Sequence, residues 1–185
     1  MKKHLSLLLF LLMVFVGNHL YAQSGVSVGI TPYGKVRIRD TESKMDLLSY
    51  HYSFTNPIYQ LSYEKHMSYI NDLLLEVGYS KVVLTDEMDF LELQTDCYSF
   101  YGFQGFNFIP RTRVQLPIYI GIGACYYKEL KESGFYIDFA ARARLKIYLI
   151  NRVALYGGAF YNYGFGVNKT TESRYGLDFG ILFSF

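Results

Sequence analysis

The sequence predicts an all-β protein, a closed antiparallel up-and-down transmembrane β-barrel of about eight strands. Three observations indicate this fold class. Eight segments have the character of strands, and in seven of them apolar residues alternate with small or polar ones, the two-residue period of a strand with one apolar face. The apolar side chains are too many to fill the inside of so narrow a barrel. The chain also ends on Phe185, although chain termini are usually polar.

The first 22 residues have the pattern of a cleaved secretory signal. A basic start is followed by an apolar run at residues 5–16, which is too short for a membrane-spanning helix. Ala22 then offers a small residue for cleavage. We therefore expect residues 1–22 to be removed and residues 23–185 to form a single barrel domain.

The composition argues against nucleic acid as a partner. The chain has 18 Lys and Arg and 16 Asp and Glu residues, for a net charge of +2. Lys2 and Lys3 leave with the signal, so 16 basic and 16 acidic residues remain and the net charge falls to about zero. A nucleic-acid-binding domain is expected to be strongly basic. Hydrophobic residues make up 51% of the chain, yet no long apolar run follows the signal, so they must be dispersed along it.

The first strand, at residues 26–39, shows the alternation that identifies most of the others. Its apolar positions are Val26, Val28, Ile30, Val36 and Ile38, and the intervening positions include Lys35, Arg37 and Arg39. Further strands with this pattern are expected at residues 58–67, 73–82, 114–126, 135–149, 153–163 (more weakly) and 174–185. In the closing segment only Leu182 breaks the pattern, because it falls among the small and polar positions.

The fourth strand, at residues 94–108, shows no clear alternation, so its apolar face is not evident from its own sequence. We infer that face from its pairing with the next strand. An antiparallel hairpin centred on Arg111 sets Cys97 directly opposite Cys125. This register leaves Gln104 on the apolar face, which a β-bulge could correct.

The connections predict a meander with tight turns at one end and longer loops at the other. Tight turns are expected at residues 69–72, 110–112 and 150–152, and longer loops at 40–56, 84–94, 128–134 and 164–173. No helical period interrupts the strands, as expected for an antiparallel barrel.

Alternation alone does not decide which face of the barrel points outward. A secreted, lipocalin-like barrel would turn its apolar face inward, and a membrane barrel would turn it toward lipid. Roughly forty large apolar side chains would overfill an interior that is only just wide enough for side chains. The other face combines Gly and Ser with long charged residues, which suits a crowded lumen. We therefore predict that the apolar face points outward, on strands that reach the roughly 9–11 residues needed to cross hydrocarbon.

The charged residues of the opposite face are then expected inside the barrel. The predicted lumen charge cluster consists of Arg37, Glu64, Glu76, Asp138, Arg142, Arg144, Lys146 and Asp178. Buried charges are tolerated when they are paired and hydrogen-bonded, so we expect ion pairs that plug the barrel. The alternative is that Arg142, Arg144 and Lys146 line a path for anions.

The last eight residues, DFGILFSF, resemble the C-terminal assembly signal of outer-membrane β-barrels. Asp178, Gly180, Phe183 and Phe185 match that signal residue by residue. In its whole mature pattern the chain is similar to the small OmpX/OmpA-type barrels. The resemblance implies an integral, monomeric protein of the outer membrane of a Gram-negative bacterium, in contact with outer-membrane lipid and lipopolysaccharide. It also implies insertion by the barrel assembly machinery, which would capture the closing strand by strand addition.

Cys97 and Cys125 are the only cysteines, and export would deliver them to an oxidising compartment. A disulfide and a pair of unbridged thiols facing the lumen both fit the sequence. Two thiols are too few ligands for a metal site, so the sequence predicts no metal and no cofactor.

The sequence favours a non-catalytic role, as a structural, adhesion or interaction module that uses the external loops. The first long loop carries an apolar patch of Met45, Leu47, Leu48 and Tyr50, suited to a partner or to the lipopolysaccharide surface. The partner itself is not identified by the sequence. Alternatives are a narrow solute channel, a secretion accessory barrel and a lipid A acyl hydrolase.

The hydrolase alternative depends on the tripeptide from His51 to Ser53. It resembles the His-x-Ser element of outer-membrane lipid A deacylases, and a hydroxyl beside a histidine is the minimum for acyl transfer. Here the pair is expected in the first long loop, at a surface tip marked by Tyr50 and Tyr52. Solvated loop residues are the simpler interpretation.

Overall fold

A computed structural model describes residues 24–68, 70–86, 92–109, 112–130, 134–167 and 169–185. The predicted signal at residues 1–22 lies outside the described residues and stays a prediction. Within the described part, no helix is long and apolar enough to cross a bilayer.

Ten strand segments make up most of the described chain. They are β1 (Ser24–Asp40), β2 (Asp46–Tyr52), β3 (Ile58–His66), β4 (Asn71–Asp86), β5 (Glu92–Asn107), β6 (Val114–Gln115), β7 (Pro117–Tyr127), β8 (Phe135–Ile150), β9 (Val153–Gly166) and β10 (Thr170–Ser184).

These segments close into a ring of eight strand positions. β2 and β3 follow one another between β1 and β4, so together they fill one position, and β6 and β7 do the same beside β8. β10 pairs with β1 to close the ring, and every pairing is antiparallel. The predicted all-β barrel of about eight strands is confirmed.

The two ends of the barrel differ in their connections. The turn end carries the links that follow β3, β5 and β8 and both ends of the described chain. The loop end carries the links that follow β1, β4, β7 and β9, whereas the link between β2 and β3 lies partway along the wall. The expected loop at residues 40–56 is wrong in part, because β2 occupies Asp46–Tyr52 and pairs with the far half of β1. The expected loop at 164–173 shrinks to three residues between Gly166 and Thr170. The expected loops at 84–94 and 128–134 lie partly outside the described residues.

The apolar face points away from the barrel axis, as predicted. The exposed fractions of Ile120, Ile137 and Phe139 are 63%, 58% and 62%, although these are large hydrophobic side chains. The same holds around the ring, where every strand position contributes outward apolar residues. Soluble monomers rarely expose contiguous apolar patches beyond a few hundred Å², so this band requires an apolar environment.

Glycine leaves room for bulky side chains inside the lumen. A Cβ atom on Gly164 would overlap the carboxylate of Asp138, and one on Gly180 would overlap the phenol of Tyr156. Leu182, the exception in the closing strand, also faces inward and packs against Tyr156. The crowded interior that the volume argument predicts is therefore present.

Near the loop end the polarity of the wall is reversed on β1, β2 and β4, whereas Phe135 and Phe165 still face outward on β8 and β9. An irregularity between Ile30 and Tyr33 shifts the pairing of β1 with β10. Beyond it, Val36 and Ile38 face inward and join an apolar cluster. The prediction that Arg37 lies in the lumen is therefore wrong: the extra residue turns it to the outer face.

The register between β5 and β7 also differs from the prediction. Cys97 lies opposite Tyr127, and Cys125 lies opposite Ser99, which is a shift of two residues from the predicted alignment. A two-residue shift keeps every side chain on its predicted face, because the side-chain period of a strand is two. Gln104 accordingly faces outward, opposite Ile120, and β5 and β7 pair without a bulge there. The shift arises because the connecting turn is longer than one centred on Arg111.

Candidate functional site

The charged lumen is arranged in three layers along the barrel axis. The middle layer consists of Glu76, Arg142, Arg144 and Asp178. Arg144 donates from Nε to Asp178 Oδ2 at 2.8 Å and from Nη2 to Glu76 Oε2 at 2.7 Å. Arg142 Nη2 lies 2.5 Å from Glu76 Oε1. Two cations thus face two acids, and the layer is neutral.

The lower layer, toward the turn end, consists of Glu64, Tyr119 and Lys146, with His66 and Asp72 beside it. Lys146 pairs with Glu64 and donates to the Tyr119 hydroxyl at 2.8 Å. Tyr119 in turn donates to Glu64 Oε1 at 2.9 Å. His66 Nδ1 contacts Asp72 Oδ1.

The upper layer, toward the loop end, consists of Tyr101, Tyr127, Asp138, Glu172 and Arg174. Arg174 contacts Tyr101, donates to Asp138 Oδ2 at 3.2 Å, and lies 3.3 Å from Glu172 Oε1 through Nε. Tyr127 donates to Glu172 Oε1 at 2.7 Å. These side chains are buried, so their hydrogen bonds lie away from bulk water, where a bond of this kind is electrostatically stronger.

Seven of the eight residues predicted for the lumen cluster lie in these layers, and Arg37 does not. The structure adds Glu172 and Arg174, which the sequence analysis missed. The signal for both was present, because both positions are separated from Asp178 by an even number of residues and so lie on the same face of the closing strand. The expected loop at residues 164–173 hid Glu172, since β10 in fact begins at Thr170, whereas Arg174 was already the first residue of the expected strand and was overlooked.

The two cysteines lie between the upper layer and the apolar cluster at the loop end. Their Sγ atoms are 3.2 Å apart as buried, unbridged thiols. They meet diagonally rather than directly opposite one another, because neighbours offset by two residues share a face of the sheet. Whether they become bridged in an oxidising compartment stays a prediction.

The outer wall at the loop end carries the residues of the hydrolase alternative. His51 is exposed on β2, so its expected place in a loop is wrong. The expected surface tip is wrong as well, because Tyr50 and Tyr52 are buried in the apolar cluster. The Ser53 hydroxyl is hydrogen-bonded to Thr55 Oγ1 at 2.8 Å rather than to His51. The two side chains do not form a nucleophile and base pair in this arrangement.

The same wall carries a basic stripe of Lys35, Arg37 and Arg39 on β1. Arg39 donates a hydrogen bond to Asp46, which holds the pKa of that carboxyl below its usual value. Arg37 and Lys35 lower it further through their charge. The outward position of Arg37 thus has an electrostatic consequence at the loop end.

Comparison with solved structures supports the architecture. The crystal structure of Neisserial surface protein A aligns with a TM-score of 0.62 at 14% identity, covering 90% of this chain and 100% of that one. The chain has the fold of the small outer-membrane β-barrels. Ail, the attachment invasion locus protein of Yersinia pestis, aligns with a TM-score of 0.51 at 14% identity over 90% of this chain and 100% of its own. The outer membrane protein OprG from Pseudomonas aeruginosa aligns with a TM-score of 0.52 at 11% identity, covering 89% of this chain and 94% of that one.

At these identities the likeness concerns the fold alone. No protein-family model matches the chain, and no curated protein does. The expected similarity to OmpX/OmpA-type architecture is confirmed at the level of the fold.

Within this outer-membrane barrel fold, the C-terminal residues occupy distinct positions. Asp178 lies in the middle layer, and Gly180 faces the lumen against Tyr156. Phe183 and Phe185 are exposed on the outside, with β10 paired on both edges. Contacts inside the lumen therefore explain the presence of Asp178 and Gly180 without reference to assembly. A role of the four C-terminal residues in assembly stays a prediction.

Proposed function

We propose that this chain is an integral protein of the outer membrane of a Gram-negative bacterium, with a non-catalytic adhesion or interaction role exercised through its loop end. The observation that carries the membrane location is the outward apolar band around a closed ring. A closed barrel is the only β-structure that satisfies all of its backbone hydrogen bonds in lipid. The band would contact outer-membrane lipid, and the basic stripe above it would face the phosphates of lipopolysaccharide.

A monomer that is inserted by the barrel assembly machinery accounts for this architecture. β10 pairs with β1 to close the ring, so closure does not need a second copy. Nucleic acid is not expected as a partner, since the predicted mature chain has about no net charge.

The three ion-pair layers argue for a plugged barrel rather than a channel. Four large cations, Arg142, Arg144, Lys146 and Arg174, are each bound to buried acids across the lumen. An ion entering this path would have to break such pairs. We expect planar bilayers that contain the purified barrel to show no conductance steps.

The outer wall from the loop end down to the link between β2 and β3 offers exposed apolar side chains for a partner. The exposed fractions of Met45, Leu47 and Phe54 are 46%, 40% and 64%, whereas Leu48 packs against the buried cluster. Ail is named for attachment and invasion and has also been crystallised with the heparin analogue sucrose octasulfate. Another barrel of this fold thus has a name that refers to attachment, which supports an adhesion role as a proposal. The fold alone does not determine function.

The membrane location is tested by heat-modifiable migration of the chain in an isolated outer-membrane fraction. A folded barrel is expected to migrate differently before and after boiling. Identical migration, or recovery of the protein as a detergent-free monomer in buffer, would contradict the proposal.

The adhesion role is tested by expressing the chain in a non-adherent Gram-negative host and counting cells bound to immobilised heparin and to cultured cells. Combined Met45→Ser, Leu47→Ser and Phe54→Ser replacements should abolish the binding that the wild-type chain confers. The matched control replaces Phe108, Ile109 and Ile150 with Ser, because these side chains are similarly exposed at the turn end. Equal binding by both variants, or none by the wild type, counts against adhesion.

The hydrolase alternative has a separate test. Cells that express the wild-type chain, or a chain with His51→Ala and Ser53→Ala, should have the same lipid A acylation pattern by mass spectrometry. A pattern changed only by the wild type would replace the proposed role with catalysis.

A further inference from the structure

A cluster of ionisable side chains lies at the turn-end mouth of the lumen, where β3 meets β4. Strand alternation places Glu64 and His66 on the lumen side of β3, and the register sets His66 directly opposite Asp72. One ligand-type atom from each of the three residues lies within 4.8 Å of the other two. The three are separated in sequence by a turn, so pairing of the strands is what assembles the cluster.

Asp72 has binding capacity that the protein does not use. Its side chain is 1% exposed, yet Oδ2 has no hydrogen-bond partner among the described residues. A buried carboxylate oxygen without a partner is unfavourable, so a cation at this position would be stabilising.

Glu64 can also serve a ligand without losing its present contacts. The bonds from Lys146 and from Tyr119 both end on Oε1, which leaves Oε2 for a further partner. His66 is 25% exposed, and it connects the cluster to water at the mouth of the barrel.

The charges of the lumen favour a bound cation. The buried acids of the described lumen number six, Glu64, Asp72, Glu76, Asp138, Glu172 and Asp178, and the buried Arg and Lys residues number four, Arg142, Arg144, Lys146 and Arg174. The middle layer is balanced, whereas the mouth holds Glu64 and Asp72 against Lys146. The mouth therefore carries one more negative than positive charge when His66 is neutral, the form in which imidazole binds metals.

We infer that Glu64, His66 and Asp72 form a binding site for a divalent transition-metal ion of the zinc type at the turn-end mouth of the lumen. One imidazole nitrogen and two carboxylate oxygens are ligands that Zn²⁺ accepts at about 2.0–2.2 Å, with water in the fourth position. Tetrahedral donors at that distance are about 3.4 Å apart, so small side-chain movements would gather the three atoms. The ion would join β3 to β4 beside the turn, and neither adhesion nor membrane insertion requires it.

Zinc titration of the tag-free chain, folded in detergent micelles in metal-free buffer, tests the site. Calorimetry should show one equivalent of Zn²⁺ bound per chain, and Co²⁺ should give the visible absorption of a low-coordinate site. His66→Ala and Asp72→Asn should each weaken binding by at least about tenfold, the size of effect expected for losing a ligand. The matched control is His51→Ala, which removes the exposed histidine of the outer wall and should bind as the wild type does.

Heat-modifiable migration of each variant shows whether it is folded, so a loss of binding can be separated from a loss of the barrel. Absence of saturable Zn²⁺ binding by the folded wild type would overturn the site. So would unchanged binding by folded His66→Ala, or a loss that appears only in His51→Ala. The Met45, Leu47 and Phe54 variant should bind Zn²⁺ normally, so failure of the adhesion proposal leaves this result unaffected.

Discussion

The central band and the β1, β2 and β4 side of the loop end have opposite polarity. In the band, Ile120 and Phe139 point outward while Arg142 and Arg144 are buried. At the loop end, Val36 and Ile38 are buried while Lys35 and Arg37 lie on the outside. The direction in which an apolar residue points is thus set by what surrounds each level of the barrel, lipid or water, and not by residue type.

In β1, a single extra residue marks the change from the polarity of the band to that of the loop end. Between Ile30 and Tyr33, β1 advances by three residues while β10 advances by two, from Phe179 to Leu177. Such a bulge turns every later side chain to the other face.

Adding a residue to β1 beyond the bulge should have the largest effect on this comparison. One alanine inserted between Gly34 and Lys35 shifts every later side chain by one position, so Val36 would face outward and Arg37 inward at the loop end. We expect a loss of more than about 4 kcal/mol in the free energy of unfolding, since apolar burial and ion pairing fail together. Urea unfolding followed by heat-modifiable migration measures it. Deletion of Pro32 is the control, because removing the extra residue leaves Val36 and Ile38 on the lumen side, and equal losses in the two variants would contradict the assignment of faces.

Breaking an ion pair should matter in the lumen and not at the loop end. Arg144→Ala leaves two buried acids, Glu76 and Asp178, with Arg142 as their one remaining cation in the middle layer, so we expect a loss of about 3–5 kcal/mol. Lys128→Ala removes an exposed partner of Glu129, 3.9 Å away, and should change stability by less than about 0.5 kcal/mol. Urea midpoints of the two variants give the difference, and similar midpoints would contradict the buried network.

The cysteines at the boundary of the two regions should bridge after export. Closing a loop of this length is expected to stabilise the barrel by about 3.5 kcal/mol relative to the reduced chain. Mass spectrometry of protein from the outer membrane should find the oxidised pair, and reductant should lower the unfolding midpoint of the wild type but not of Cys97→Ser. Two titratable thiols in the exported protein would show that the sulfur atoms stay unbridged.

A lysine on the outside should destabilise only the band. Ile120→Lys places a charge on a mid-strand position that we assign to lipid, where about 2–4 kcal/mol is lost. Leu47→Lys makes the same change on an exposed side chain of the loop end, where we expect less than about 0.5 kcal/mol. Unfolding in lipid vesicles compares them. A tolerated lysine at position 120 would mean that lipid does not cover this face.

Replacing a glycine with alanine should lower the free energy of unfolding more in the lumen than on the outer face. Gly164→Ala forces a Cβ atom against Asp138, so we expect a loss of about 1–3 kcal/mol. Gly102→Ala is the control, because its new Cβ atom would meet only Leu75, at an ordinary 3.7 Å. A larger loss at position 102 would contradict the packing described for the lumen.

The sequence by itself determined the fold class and the outward direction of the apolar band. A two-residue period is a local property, and the volume of the apolar set exceeds any narrow lumen, so neither inference needs coordinates. Seven members of the charged lumen followed from the same alternation. The same alternation also predicts Arg174 inside the barrel, since it lies in the expected closing strand, and it would have predicted Glu172 had that strand been extended to Thr170.

Only the tertiary structure decided the position of Arg37, the register of Cys97 with Cys125, and the meeting of Glu64, His66 and Asp72. Each depends on how many residues separate two paired positions, including a bulge and turns whose length alternation does not record. Alternation assigns a side chain to a face, whereas its neighbours across the lumen come from strands far away in sequence. Those contacts exist only once the ring has closed.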